Sequence, residues 1–216
     1  MKVYSLGDKN SVFNRFIAEL RDVQIQKDAM RFRRNLERVG EVFAYEISKT
    51  LHYEPCEVQT PLGIASCNLS SDQIVIASIL RAGIPLHNGI LNYFDKAQNA
   101  FIAAYRKYGK DNKFTIQLEY MAAPDINEKV LILTDPMLAT GSSVLLTYQH
   151  LLQKGKPQHF HIVSAIASKE GVDFLSRHLP GKGVSLWVGA IDEELTIKSF
   201  IVPGLGDAGD LAFGEK

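Results

Sequence analysis

The densest chemistry in the chain lies in Val130-Leu131-Ile132-Leu133-Thr134-Asp135-Pro136-Met137-Leu138-Ala139-Thr140-Gly141-Ser142-Ser143-Val144. Four apolar residues lead to a single carboxylate, a turn of small residues, and a helix expected to continue through Leu151. Such a turn gathers backbone N–H groups and the hydroxyls of Thr140, Ser142 and Ser143 around one concavity. Aligned amides and the helix dipole there favour an anion such as phosphate. Asp135 stands too near that anion to be another of its ligands. It is suited to accept hydrogen bonds from the hydroxyls of an attached sugar. The plainer alternative is a strand followed by an N-capped helix.

Two further segments match this one. Ile79-Leu80-Arg81-Ala82-Gly83-Ile84 also follows an apolar run. Ala82 and Gly83 allow close approach of a ligand, and Arg81 presents a planar fork to phosphate oxygens. Near the C-terminus, Phe200-Ile201-Val202-Pro203-Gly204-Leu205-Gly206-Asp207-Ala208-Gly209-Asp210 is a glycine-rich loop carrying two acids. It formally contains G-x-G-x-x-G, but the dinucleotide fingerprint needs a long following helix and a distant acid, and the chain ends at Lys216. Neither G-x-x-x-x-G-K-[ST] nor H-E-x-x-H occurs, which removes P-loop and zincin chemistry. The six histidines show no metal spacing. His159 and His161 are expected to be structural, and His87 is a weaker candidate for lining a pocket. Cys56 and Cys67 are expected to be reduced and incidental, and Trp187 to lie in the core.

These loops need a scaffold. Residues 12–49 read as helical, with Phe32, Leu36, Val39, Phe43 and Ile47 on one face. Arg31, Arg34 and Arg38 form a basic stripe expected to be solvated, with a ligand or subunit contact as the alternative. Residues 50–72 read as loop or short strands, punctuated by Pro55, Pro61 and Gly63. Apolar runs at 74–80, 101–105, 130–133, 160–166 and 184–190 alternate with helix-length segments, which predicts a parallel sheet covered on both faces. Between Phe114 and Tyr120 the period changes to two, typical of a half-buried antiparallel strand. Residues 101–123 are therefore expected to form a hairpin arm with a polar tip at 107–113, placed to act as a lid. The whole of 1–216 reads as one domain.

Composition narrows the class. The chain has 216 residues, 46% hydrophobic and 22% charged, as in ordinary soluble proteins. Lys plus Arg and Asp plus Glu each total 24, so a duplex-coating protein is disfavoured. No apolar run approaches the ~20 residues of a membrane helix, and the N-terminus lacks a signal-peptide core. A cytoplasmic location without membrane or nucleic-acid partners is expected.

Asp135-Pro136-Met137-Leu138-Ala139-Thr140-Gly141, Ile79-Leu80-Arg81-Ala82-Gly83 and Ile201-Val202-Pro203-Gly204-Leu205-Gly206-Asp207-Ala208-Gly209 together resemble uracil phosphoribosyltransferases. Arg31-Phe32-Arg33 and Tyr45-Glu46 resemble that family's N-terminal helix, so the likeness spans nearly the whole chain. It implies the type I phosphoribosyltransferase fold: an α/β parallel sheet flanked by helices, with a β-hairpin arm over the active site. It also implies transfer of phosphoribosyl from 5-phospho-α-D-ribose 1-diphosphate (PRPP) to uracil, giving UMP and pyrophosphate in pyrimidine salvage. On this resemblance, PRPP is held by Arg81, Arg106, Asp135, Pro136, Met137, Leu138, Ala139, Thr140, Gly141, Ser142, Ser143 and Asp207. Uracil is held by Ile201, Gly206, Asp207 and Ala208. Asp135, Asp207 and Arg106 carry catalysis, and Mg2+ arrives with PRPP, without direct protein ligands. A homo-oligomer and a GTP effector are further implications.

Three departures stand out. Ser142 replaces the family's usual second glycine, and 107–115 lacks the usual acidic tip. Pro136 stands where many other phosphoribosyltransferases have a second acid, a change the uracil branch shares. A low-activity PRPP- or nucleotide-sensing homologue, or a transferase for another base, are the alternatives.

Overall fold

Apolar strand runs of five to ten residues pair side by side because buried backbone N–H and C=O groups must find partners. The computed structural model describes residues 1–108 and 114–215, with side chains outside 104–118. The side chain of Arg106 and the turn at the tip of the expected arm lie outside the described residues. The elements are β1 (Lys2–Ser5), α1 (Val12–Arg21), α2 (Ala29–Ser48), β2 (Tyr53–Thr60), β3 (Gly63–Ser70), β4 (Ile74–Leu80), α3 (Gly83–Leu91), β5 (Gln98–Tyr108) and β6 (Phe114–Ala122). They continue with β7 (Val130–Thr134), β8 (Met137–Leu138), α4 (Ser142–Leu151), β9 (His159–Ser168), α5 (Lys169–His178), β10 (Val184–Asp192), β11 (Glu194–Leu195), β12 (Ile201–Val202) and α6 (Ala208–Phe213).

The main sheet has the order β1-β10-β9-β7-β4-β5-β6, with β8 pairing β9. Its pairings are parallel except β5 with β6, the antiparallel hairpin expected from the change of period. Helices cover both faces. Val75, Ala77, Leu131 and Leu133 pack with Val144 and Leu151 of α4 and Leu175 of α5. Ile76 and Ile132, one residue out of phase, pack on the opposite face with α1, α2 and α3. All five apolar residues predicted for the buried face of α2 are buried, each contributing about 1.5–3 kcal/mol. Phe13 of α1 meets Phe43 of α2 edge-on, with ring centroids 5.4 Å apart.

The helical stretch at 12–49 divides into two helices. Ser11 and Asn14 form a capping box at α1, and the Asp28 side chain accepts from Arg31 N to start α2. The basic stripe is paired within the chain. Arg31 binds Glu19, Arg34 binds Glu37 and Glu41, and Arg38 donates to Asn35. Residues 50–72 form a regular antiparallel ribbon of two eight-residue strands, more ordered than the loop or short strands expected.

Candidate active site

In open α/β sheets, ligands gather beyond the carboxyl ends of strands where connections depart to opposite sides. Here that point lies between β4 and β7. From β4 the chain passes through α3 to β5 on one side; from β7 it passes through α4 to β9 on the other. Ser78 pairs with Thr134 in the ladder, so the loops after β4 and β7 emerge together.

The loop after β7 forms the expected concavity. Gly141, at φ +79°, occupies the N-cap of α4 in the left-handed region. A Cβ at this position would come within 2.9 Å of Phe174. Asp135, Met137, Leu138, Ala139, Thr140, Gly141, Ser143 and Val144 line a hollow of about 40 Å³. Ser142 and Pro136 are not among the lining residues. Thr140 Oγ1 lies 3.1 Å from Ser142 Oγ, so the two hydroxyls bond to one another. Pro136 O accepts from Ile166 N at 3.0 Å, which fixes the loop on β9.

Two serines of β9 hold this loop, and the sequence reading missed both. Ser164 Oγ donates to Asp135 O at 2.6 Å, and Ser168 Oγ donates to Ala139 O at 2.5 Å. Both residues are fully buried. Their only sequence signal is a pair of hydroxyls four residues apart in the apolar half of the strand that follows His161.

Gly83 begins α3 directly beside β7. A Cβ there would lie 2.7 Å from Thr134 O and 2.6 Å from Ser78 Oγ, so the close approach requires glycine. Thr134 Oγ1 donates to Ala77 O at 3.2 Å and sits 3.4 Å from Gly83 O, linking the two loops. Arg81 extends to the third loop, donating to Asp210 Oδ1 and Gly214 O, each at 3.1 Å. Its buried Nε has no hydrogen-bond partner among the described residues, leaving a guanidinium donor for an acceptor to satisfy.

The third loop is fixed by a pair distant in sequence. Arg21 on α1 grips both oxygens of Asp192 at 2.7 and 2.8 Å and donates to Gly204 O at 2.9 Å. Asp192 also accepts from Gly204 N at 2.9 Å. Burial would raise the Asp192 pKa, but Arg21 and the Gly204 N–H outweigh it and hold the carboxyl below its ordinary range. Beyond the clamp, Ile201, Leu205 and Ala208 are buried while Gly206 and Asp207 are exposed. Asp207 Oδ1 caps α6 by accepting from Gly209 N and Asp210 N at 2.8 and 3.1 Å. Arg33 anchors that helix from α2, donating to Ala212 O at 2.6 Å.

The remaining sequence candidates fall outside the loops. His87 is not among the residues that line the hollow after β7. It is a buried residue of α3, with Nε2 2.8 Å from Asn99 Oδ1, and burial lowers its pKa. His161 is buried and accepts from Trp187 Nε1 at 3.0 Å, as a structural histidine would.

The uracil phosphoribosyltransferase family model matches residues 8–215. The chain belongs to this family. A uracil phosphoribosyltransferase of Porphyromonas gingivalis is 56% identical over 216 residues, covering all of both chains. One from Pyrococcus furiosus is 38% identical, covering 99% of this chain and 90% of its own. Among solved structures, the AQ2163 protein of Aquifex aeolicus superposes with a TM-score of 0.87 at 29% identity, covering 98% of each chain. A hypoxanthine phosphoribosyltransferase of Staphylococcus aureus shares the fold more distantly, with a TM-score of 0.52 at 12% identity over 91% of this chain and 92% of its own. The phosphoribosyltransferase sheet and the membership expected from the three motifs are thus both borne out.

Proposed function

We infer that this chain transfers the phosphoribosyl group of PRPP to uracil, releasing UMP and pyrophosphate. The observation that carries the reading is the meeting of the three family motifs at one sheet edge, joined through Thr134 and Arg81. Residues 135–143 are proposed to receive the ribose 5-phosphate. Amides opened by Gly141, together with the Thr140 and Ser143 hydroxyls, face an anion there. The Ser142 hydroxyl accepts from Thr140 Oγ1 and keeps its own proton to donate to the anion, while its backbone N–H is turned to Thr140 Oγ1 at 3.4 Å. Asp135 takes the ribose hydroxyls, and its charge favours the positive character that develops on the sugar as the diphosphate departs. Arg81 is proposed to bind the diphosphate through the donors left by its pairing with Asp210. Arg106 is assigned the same role from the sequence motif alone.

Uracil is proposed to lie against Ile201, Gly206, Asp207 and Ala208. Exposed backbone at 206–207 between buried neighbours supports this reading, because main-chain donors and acceptors can match the alternating edge of uracil. Cytosine would leave a buried donor without its partner. The donor set suits magnesium brought by the substrate: Asp135 and Asp207 are single carboxylates on separate loops, and Mg2+ commonly uses one or two carboxylates with phosphate oxygens and water. Asp207 would face its water shell, and the ion when bound would neutralise charge on the leaving diphosphate. The protein supplies orientation and electrostatics, so no nucleophilic side chain is required.

No helix among the described residues is long and apolar enough to cross a membrane, in keeping with the cytoplasmic location proposed. A homo-oligomer and a GTP effector belong to the same reading, tested by sedimentation and by GTP titration of the rate. Incubation with PRPP, magnesium and each of uracil, orotate, hypoxanthine and cytosine tests the substrate. UMP formed with uracil alone supports the assignment; preference for another base overturns it.

A further inference from the structure

The ribbon β2–β3 takes no part in the site. Every residue of its strands is exposed except Thr60 and Ala65, which are half-buried. Strand alternation places Glu54, Cys56 and Val58 on one face, with Leu69, Cys67 and Ala65 directly opposite. Cys56 and Cys67 are therefore register partners on the same face, and both are free, exposed thiols.

Thr60 and Gly63 close a two-residue turn as a hydrogen-bonded pair, and by alternation Cys56 and Cys67 are one too. Such pairs have Cα atoms about 5.5 Å apart, inside the ~4.4–6.8 Å range of disulfides. Their Cβ atoms lie roughly 5.5 Å apart, against ~3.5–4.5 Å in a formed disulfide, so the strands must close by about 1–2 Å. Among the described residues, this face is exposed apart from the half-buried Thr60 and Ala65.

We propose that Cys56 and Cys67 form a reversible intramolecular dithiol–disulfide site, oxidised by small-molecule disulfides of the glutathione type. One thiolate attacks the small disulfide, breaking its S–S bond and expelling one small thiol. The other thiolate attacks the protein sulfur of the resulting mixed disulfide and expels the second. A Cys56–Cys67 bond forms, and the two electrons and two protons leave with the two small thiols. Exposed cross-strand bonds that require such closing are easily reduced, so a reducing pool keeps the pair as thiols and an oxidising excursion staples the ribbon. This inference is independent of the substrate assignment.

The test treats the full-length native protein with excess glutathione disulfide, blocks remaining thiols, and maps the products by mass spectrometry. The expected product is two hydrogens lighter than the reduced chain, links the Cys56 and Cys67 peptides within one chain, and reverts with dithiothreitol. Cys56→Ser should instead retain one glutathione on Cys67, and Cys67→Ser one on Cys56. Glutathione on both thiols of one wild-type chain, links between chains, or unreacted thiols would each overturn the proposal.

Discussion

Replacing Asp192 with Ala removes the acceptor for both Arg21 contacts and for Gly204 N, while Arg21 remains only partly solvated. Breaking a buried ion pair by deleting one partner costs about 3–5 kcal/mol. The Arg21 side chain is 23% exposed, so water recovers part of this. An orphaned buried N–H adds about 1–3 kcal/mol. A net loss of about 3 kcal/mol follows, visible in urea denaturation as a lower midpoint at unchanged slope. The clamp holds the loop proposed for uracil, and a 1 Å misplacement can cost about 100-fold. The KM for uracil should therefore rise at least ~10-fold while the KM for PRPP moves less than ~3-fold. Asp192→Asn, which keeps an acceptor for Gly204 N, should fall between the variant and wild type on both scales. Equal changes in the two KM values, or a destabilised variant with wild-type uracil KM, would refute the clamp as a positioning device for the base.

Asp135→Asn keeps the side chain's size but removes its charge, and should lower kcat/KM at least ~10-fold, about 1.4 kcal/mol; wild-type steady-state kinetics would mark the acid as a cap. Glu19, bonded by Arg31, Asn35 and Arg15, has its pKa lowered to about 2. Its stabilisation is full above the ordinary carboxylate range and is lost as pH falls through about 2. Glu19→Gln should cost about 1–2 kcal/mol at neutral pH, given screening at the exposed arginines, with the gap closing in chemical melts near pH 2. Burial, aided by His159, lowers the His161 pKa to about 3, so its neutral form stabilises the fold above pH ~6.5 and that support drains away as pH falls toward 3. His161→Gln should flatten this acid loss, followed through the fluorescence of Trp187, the chain's one tryptophan.

The central strands were legible because β4, β7, β9 and β10 are near-continuous apolar runs, as burial on both faces demands. β1 was not, since four residues, two of them exposed, at the sheet edge carry no period. Proline and glycine at 55, 61 and 63 obscured the β2–β3 ribbon, although Pro61 and Leu62 merely make its turn. Within the site, the phosphate hollow was readable from local residue types. The supports were hidden because they act at long range: Arg21 and Asp192 are 171 positions apart. Ser164 reads as a strand residue and Ser168 lies beyond the run at 160–166, until β9 is seen to lie beneath the loop.

The central claim is tested most directly by isotopic transfer from PRPP labelled in the ribose. With uracil and magnesium present, the label should appear in UMP with one pyrophosphate released per UMP. Protein that binds PRPP yet forms no labelled UMP, or labels another base's nucleotide faster, would contradict the account.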